Sequence, residues 1–151
     1  MKRILLICAF VPSNTSGGLN YSRLFINDLA KTYKVDLVLF KYSYLTSYNI
    51  ENENVTVVKV FKNSFLIKLI NCIFSPFLHP FFTSRFNVVN LLKIKRIINK
   101  KKYDAIYLDY SQIFLYGKFI KNIPKIFMSH DVITQRYLRS GSKLSAKLCL
   151  I

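Results

Sequence analysis

Ile4 to Val11 reads ILLICAFV, eight apolar residues between the basic start Met1-Lys2-Arg3 and Pro12. With no small-residue cleavage site before Pro12, the run is expected to be a buried first strand rather than a secretory leader. Strands apolar on both faces belong to parallel sheets covered by helices. Four more runs of strand length follow: Val35 to Phe40 (VDLVLF), Val55 to Phe61 (VTVVKVF), Ala105 to Leu108 (AIYL) and Ile126 to Ser129 (IFMS). Helical periods separate them. Leu19 to Tyr33 places Leu19, Ser22, Phe25, Ile26, Leu29, Ala30 and Tyr33 on one side, with Asp28 and Lys31 off it. Leu91 to Lys102 gathers Leu91, Ile94, Ile97 and Ile98 away from Lys93, Arg96, Lys100 and Lys101. Gln112 to Ile120 reads as a short helix or turn interrupted by Gly117, and a further helix is expected from Thr134 onward. The alternation predicts an α/β fold: a Rossmann-like three-layer domain with a mainly parallel sheet and the first strand at its centre.

The chain has 151 residues and 52% hydrophobic residues, which excludes disorder and fits a single domain over residues 1–151. Cys8, Cys72 and Cys149 are odd in number and widely spaced, so they read as thiols in a reducing, cytoplasmic compartment. No ligand spacing for zinc occurs, and no metal or cofactor is expected. No run of about 18 apolar residues exists. The nearest candidate, Phe65 to Phe82, is broken by Pro76 and Pro80, and His79 between them reads as structural. Against a positive mean hydropathy of +0.24 stands a net charge of +16. That pairing points to a partner surface, an anionic membrane or a polyanion. A nucleic-acid module is disfavoured, because the aromatic residues fall within expected strands and helices and no recognition motif is present. The last residues, KLSAKLCLI, carry no helix stop signal, so the chain is expected to be the front part of a longer protein.

Two places carry candidate chemistry. The loop Pro12-Ser13-Asn14-Thr15-Ser16-Gly17-Gly18 links the first strand to the first helix. Gly17 and Gly18 permit close approach of a ligand, and the helix start offers N–H groups to a diphosphate. The plain alternative is a strand-to-helix turn capped by Ser or Thr. The loop is neither G-x-G-x-x-G nor a Walker loop, so a dinucleotide or NTP site is not implied. The second place is Ser129-His130-Asp131 at the end of the fifth strand. His130 there can hydrogen-bond a sugar hydroxyl or phosphate, with Asp131 orienting it or capping the next helix. Asp109, at the carboxyl end of the fourth strand, is a supporting candidate, whereas Asp104 reads as the end of a turn. In an open parallel sheet these strand ends face one crevice. No nucleophile triad and no paired carboxylates of a glycosidase stand out.

The order of these motifs resembles the N-terminal domain of a GT-B glycosyltransferase of family 4. The residues that carry the resemblance are the apolar first strand, Pro12, Gly17-Gly18, and the helix running into Lys34-Val35-Asp36-Leu37-Val38. The later pieces are Lys102-Tyr103-Asp104-Ala105-Ile106-Tyr107 and Ile123-Pro124-Lys125-Ile126-Phe127-Met128-Ser129-His130-Asp131. The resemblance implies one half of a two-domain enzyme that moves a sugar from a nucleotide-sugar donor to a glycan or lipid-linked acceptor, retaining configuration and needing no metal. It implies that Gly17 and Gly18 lie against the donor diphosphate and that His130 contacts the transferred sugar. The C-terminal nucleotide-sugar domain, with its glutamate pair, is absent, so these residues alone are expected to be inactive. The resemblance also implies lipid-acceptor contact through Phe65 to Phe86 and the basic helix Lys93 to Lys102, hence a peripheral place on the inner face of the membrane. The plain alternative is that Phe65 to Phe82 is core. Other readings are a non-catalytic Rossmann-like remnant or binding module and, less favoured, a basic nucleic-acid binding domain.

Overall fold

A computed structural model describes residues 1–41, 52–62, 65–74, 82, 85–130, 139 and 141. Its sheet has five parallel strands in the order β3-β2-β1-β4-β5. They are β1 (Arg3–Cys8), β2 (Lys34–Lys41), β3 (Val55–Lys62), β4 (Ala105–Asp109) and β5 (Lys125–Met128). The helices are α1 (Gly17–Ala30), α2 (Phe65–Phe74), α3 (Val88–Lys100) and α4 (Phe114–Phe119), the last entered through a 3-10 turn at Ser111–Ile113. The expected α/β, Rossmann-like class is what the chain adopts, with β1 central.

Alternation along β1 builds both layers. Leu5 and Ile7 join Val38, Phe40, Ile106 and Leu108 under Leu91 and Ile94 of α3 and Tyr116 of α4. Leu6 and Cys8 point the other way, to Leu37, Leu39 and the α1 residues Ile26 and Ala30. Each fully buried Leu or Ile stabilises by about 1.5–3 kcal/mol relative to exposure, so the central strands hold the fold. The edges differ from expectation. Continuous apolar runs were a reason to expect burial on both faces, yet β3 exposes Val57 and Val60, and β5 exposes Ile126 and Phe127. These are the two outermost strands, and the contact of Phe127 with the Phe114 ring of α4, centroids 5.5 Å apart, leaves Phe127 still 42% exposed.

Local chemistry moves two helix boundaries. Asn87 accepts hydrogen bonds from the N–H groups of Val89 (2.8 Å) and Asn90 (3.3 Å), so α3 starts three residues before Leu91. Gly117 does not interrupt its helix. It lies inside α4 because a Cβ there would collide with the Leu108 side chain, so the glycine lets the helix sit close on β4. The helix expected from Thr134 onward and His79 lie outside the described residues.

At the amino ends of the strands a buried carboxylate ties layers together. Asp36 on β2 accepts from Arg3 Nη1 (3.1 and 3.2 Å), Lys101 Nζ (2.8 Å) and the Tyr103 hydroxyl (2.7 Å). Burial raises the Asp36 pKa, but the Lys101, Tyr103 and Arg3 contacts outweigh it and leave it below the usual carboxylate value. Asp104 closes the neighbouring turn by accepting the Arg3 N–H at 2.8 Å.

Candidate functional site

The sheet changes direction at β1: successive strands run outward to β2 and β3, then return to β4 on its other side. The loops leaving β1 and β4 diverge there, and the carboxyl ends of strands at such a reversal are where open parallel sheets bind ligands. Asp109 is the last residue of β4 and is buried. Its Oδ1 lies 2.7 Å from His130 Nε2, and its Oδ2 accepts from Ser22 Oγ at 2.7 Å. Ser22 Oγ also lies 3.2 Å from the Gly18 carbonyl, the longer branch of its one shared hydroxyl proton, which links the carboxylate to the first turn of α1. Three segments thus converge: the loop and helix after β1, the end of β4, and the residue two positions past β5.

The carboxylate at this point is electrostatically different from Asp36. Burial pushes the Asp109 pKa up, and the hydrogen bonds from His130 and Ser22 offset that only in part. A neutral His130 that donates through Nε2 to Asp109 keeps Nδ1 as an acceptor, which can take a hydrogen bond from a ligand hydroxyl. The ring is held between two tyrosines. Tyr110 stacks on it with centroids 4.0 Å apart, and Tyr21 meets it edge-on at 5.7 Å.

Tyr110 has a positive φ of 77°, an unfavourable conformation for a residue with a side chain. Its N–H donates to the Met128 carbonyl at 3.0 Å, which extends the β4–β5 ladder by one bond and holds the backbone there. Phe10 packs edge-on against the Tyr110 ring at 4.9 Å, with the Arg85 guanidinium 4.7 Å over the Phe10 ring. The Tyr110 hydroxyl lies too close to where a Cβ on Gly18 would be, so a side chain there would have to push the Tyr110 ring aside. Gly17 is exposed, and a Cβ there would meet nothing within 4 Å. Ser16, the residue before α1, makes no side-chain cap hydrogen bond, so the Ser capping that a plain turn would have is not made by it.

The structure therefore brings Gly18, Asp109 and His130 together, with Gly17 at the rim. Asp131 lies outside the described residues. Sequence reasoning missed Ser22 and Tyr110. Ser22 carried a signal, as the one polar side chain on the apolar face of the first helical period. Tyr110 carried none, because nothing in its residue type announces a positive φ. Among the described residues no group of three or more His, Cys, Asp or Glu side chains gathers as metal ligands. Cys8 is buried and its thiol pKa is pushed up by that burial and by Asp109, which makes it a poor nucleophile. No protein-family profile, curated protein or solved structure matches this chain. What fold and site define is an α/β domain of Rossmann-like architecture with a hydrogen-bonded Ser22–Asp109–His130 cluster at the carboxyl ends of its strands.

Proposed function

We propose that the chain is the acceptor-side domain of a retaining glycosyltransferase of the GT-B, family 4 type. In this reading it works with a nucleotide-sugar domain to move a sugar onto a glycan or lipid-linked acceptor. The observation that carries the reading is the convergence of the Gly17-Gly18 loop and His130 on one crevice through Ser22 and Asp109. Asp109 positions the imidazole, and His130 presents Nδ1 to a hydroxyl of the sugar being transferred. Gly17 and the first turn of α1 leave room for the donor diphosphate, which favours the partial positive charge at a helix N-terminus. Departure of the nucleotide diphosphate needs fixed donors on both of its sides, and this domain supplies one of them.

A peripheral membrane location belongs to the same proposal. α2 exposes Leu66, Leu69, Ile70 and Ile73, at a spacing that makes one apolar stripe. Within Phe65 to Phe86, residues 75–81, 83 and 84 lie outside the described residues, and the stripe on α2 is what supports this placement. Among the described residues no helix is long and apolar enough to cross a membrane.

The test is an NMR titration of the chain with a panel of nucleotide sugars. The amides of Gly17 and Gly18 and the His130 ring should shift together, and His130→Ala should weaken the effect on the glycine amides. A non-catalytic binding remnant would show the same shifts with a free sugar and no dependence on the diphosphate. Shifts confined to one of the two segments, or none, would defeat the proposal.

A further inference from the structure

A second cluster of charge lies away from the crevice. α3 presents Lys93, Arg96 and Lys100 along one side, spaced three and four residues apart. Opposite them stands β3, with Lys59, and the end of the groove is closed by Lys101. Together with Val58 and Ile97 these residues line a cleft of about 340 Å³.

The cleft is shaped by a sheet irregularity. Register between β2 and β3 slips between Leu37 and Val38: Leu37 pairs with Val57, but Val38 pairs with Lys59. Val58 is the extra residue. A bulge of this kind re-aims side chains, and here both Val58 and Lys59 line the cleft instead of alternating across the strand. Lys59 is thereby brought to the same groove as the α3 cations.

The charges in the groove are not balanced internally. Lys101 is paired with Asp36 at 2.8 Å. Lys59, Lys93, Arg96 and Lys100 have no carboxylate partner among the described residues. Like charges at i, i+4, as at Arg96 and Lys100, oppose helix formation. A concave surface lined by one sign of charge focuses its field and concentrates counter-ions. The apolar Val58 and Ile97 in the lining lower water access to the bound charge.

We propose that this groove between β3 and α3 is a binding site for phosphate groups, taking a ligand with at least two negative charges. Lys59, Lys93, Arg96 and Lys100, without carboxylate partners among the described residues, converge on it from two elements, so one multiply charged anion satisfies them together. Phosphate is the favoured chemistry because Arg and Lys bind it through charge-assisted hydrogen bonds, with Arg96 able to bind two oxygens at once. The ligand source is either a soluble phosphorylated molecule or the headgroup of an anionic lipid. The site stands apart from the crevice, and the proposal does not depend on sugar transfer there.

The experiment uses the full chain, with inorganic pyrophosphate in calorimetry and phosphatidic acid–phosphatidylcholine vesicles, whose phosphomonoester headgroup can carry two charges, in co-sedimentation. Lys59→Gln, Lys93→Gln and Arg96→Gln are combined in one variant. A control variant removes the same charge from exposed positions elsewhere, at Lys2, Lys118 and Lys121. Circular dichroism confirms that both fold. The groove variant should bind roughly a hundredfold more weakly, from about fivefold per lost charge, while the control should stay within about twofold because none of its three lysines lines the groove. Groove-dependent binding of pyrophosphate identifies a soluble phosphate ligand, and groove-dependent binding of vesicles alone identifies a lipid headgroup. Equal weakening in both variants would show only a net-charge effect and overturn the proposal. So would no binding of either probe.

Discussion

Asp36 and Asp109 are both buried carboxylates on one sheet, at opposite ends of its strands. Asp36 sits near the amino end, where Arg3 and Lys101 bring two permanent cations and Tyr103 adds a hydroxyl. Asp109 sits at the carboxyl end with only a serine hydroxyl and an imidazole for company. Burial costs each of them solvation. At Asp36 the cations more than repay it, and the pKa falls. At Asp109 the partners fall short, and the pKa rises. The first arrangement is a clamp between β1, β2 and the segment after α3. The second leaves a buried carboxylate beside an imidazole with less compensation than its burial demands.

The largest expected effect follows from breaking the clamp. Asp36→Asn leaves the Arg3 and Lys101 charges without their carboxylate, but both are partly exposed to water, so it should lower unfolding free energy by about 2 kcal/mol, read as a lower urea midpoint. His130 chemical shifts should be unchanged in that variant, since the crevice is at the other end of the sheet. A shift at His130 as large as that at Tyr103 would merge the two regions into one.

Next in size is the contrast in pH dependence. Both groups start from an unfolded value near 3.8. Asp36 has a depressed folded pKa, so its contribution is present above the unfolded value and is lost as pH falls through the folded one. Asp109 has a raised folded pKa. The folded state then binds the proton more tightly, and stability from this group rises as pH falls from the raised value toward the unfolded one. Stability profiles of Asp36→Asn and Asp109→Asn should therefore depart from the parent with opposite slopes in the acid range. Parallel departures would mean that the two carboxylates have the same electrostatic environment.

A close-packed glycine gives a smaller effect. Gly117→Ala forces a methyl group against Leu108 and should destabilise by about 1–2 kcal/mol, without altering the crevice. Gly18→Ala is smaller still. The helix gains roughly 0.5–1 kcal/mol from replacing glycine, and the displaced Tyr110 hydroxyl, at the end of a side chain that can move, offsets much of it. The stability change should be near zero. The His130 ring protons should nevertheless shift as the stacked Tyr110 ring moves away. An unchanged His130 spectrum would show that Gly18 does not govern the position of Tyr110.

The sheet was legible from the chain because its central strands are so apolar that Ile4 to Cys8 admits no other placement. The edges were not, since Val57, Val60, Ile126 and Phe127 have strand chemistry whether or not anything covers them. The crevice was half legible. Strand ends marked Gly18, Asp109 and His130, but the links between them run through Ser22, a residue whose type also suits a helix interior, and through the backbone of Tyr110. The β3 bulge that turns Val58 and Lys59 into one groove leaves no trace in VTVVKVF, where strict alternation would send them to opposite faces. Registers and positive φ values are set by neighbouring strands, and a single sequence does not state them.

The central claim is that Asp109 is placed for the crevice and not for the fold. Urea unfolding of Asp109→Asn at neutral pH tests it most directly. The amide keeps the volume and can still accept from Ser22, while His130 exchanges tautomer to meet it. The account predicts a stability equal to the parent within about 1 kcal/mol, or higher, because the solvation cost of a buried ionised carboxylate is removed. A loss as large as that of Asp36→Asn would contradict it and make Asp109 a second clamp.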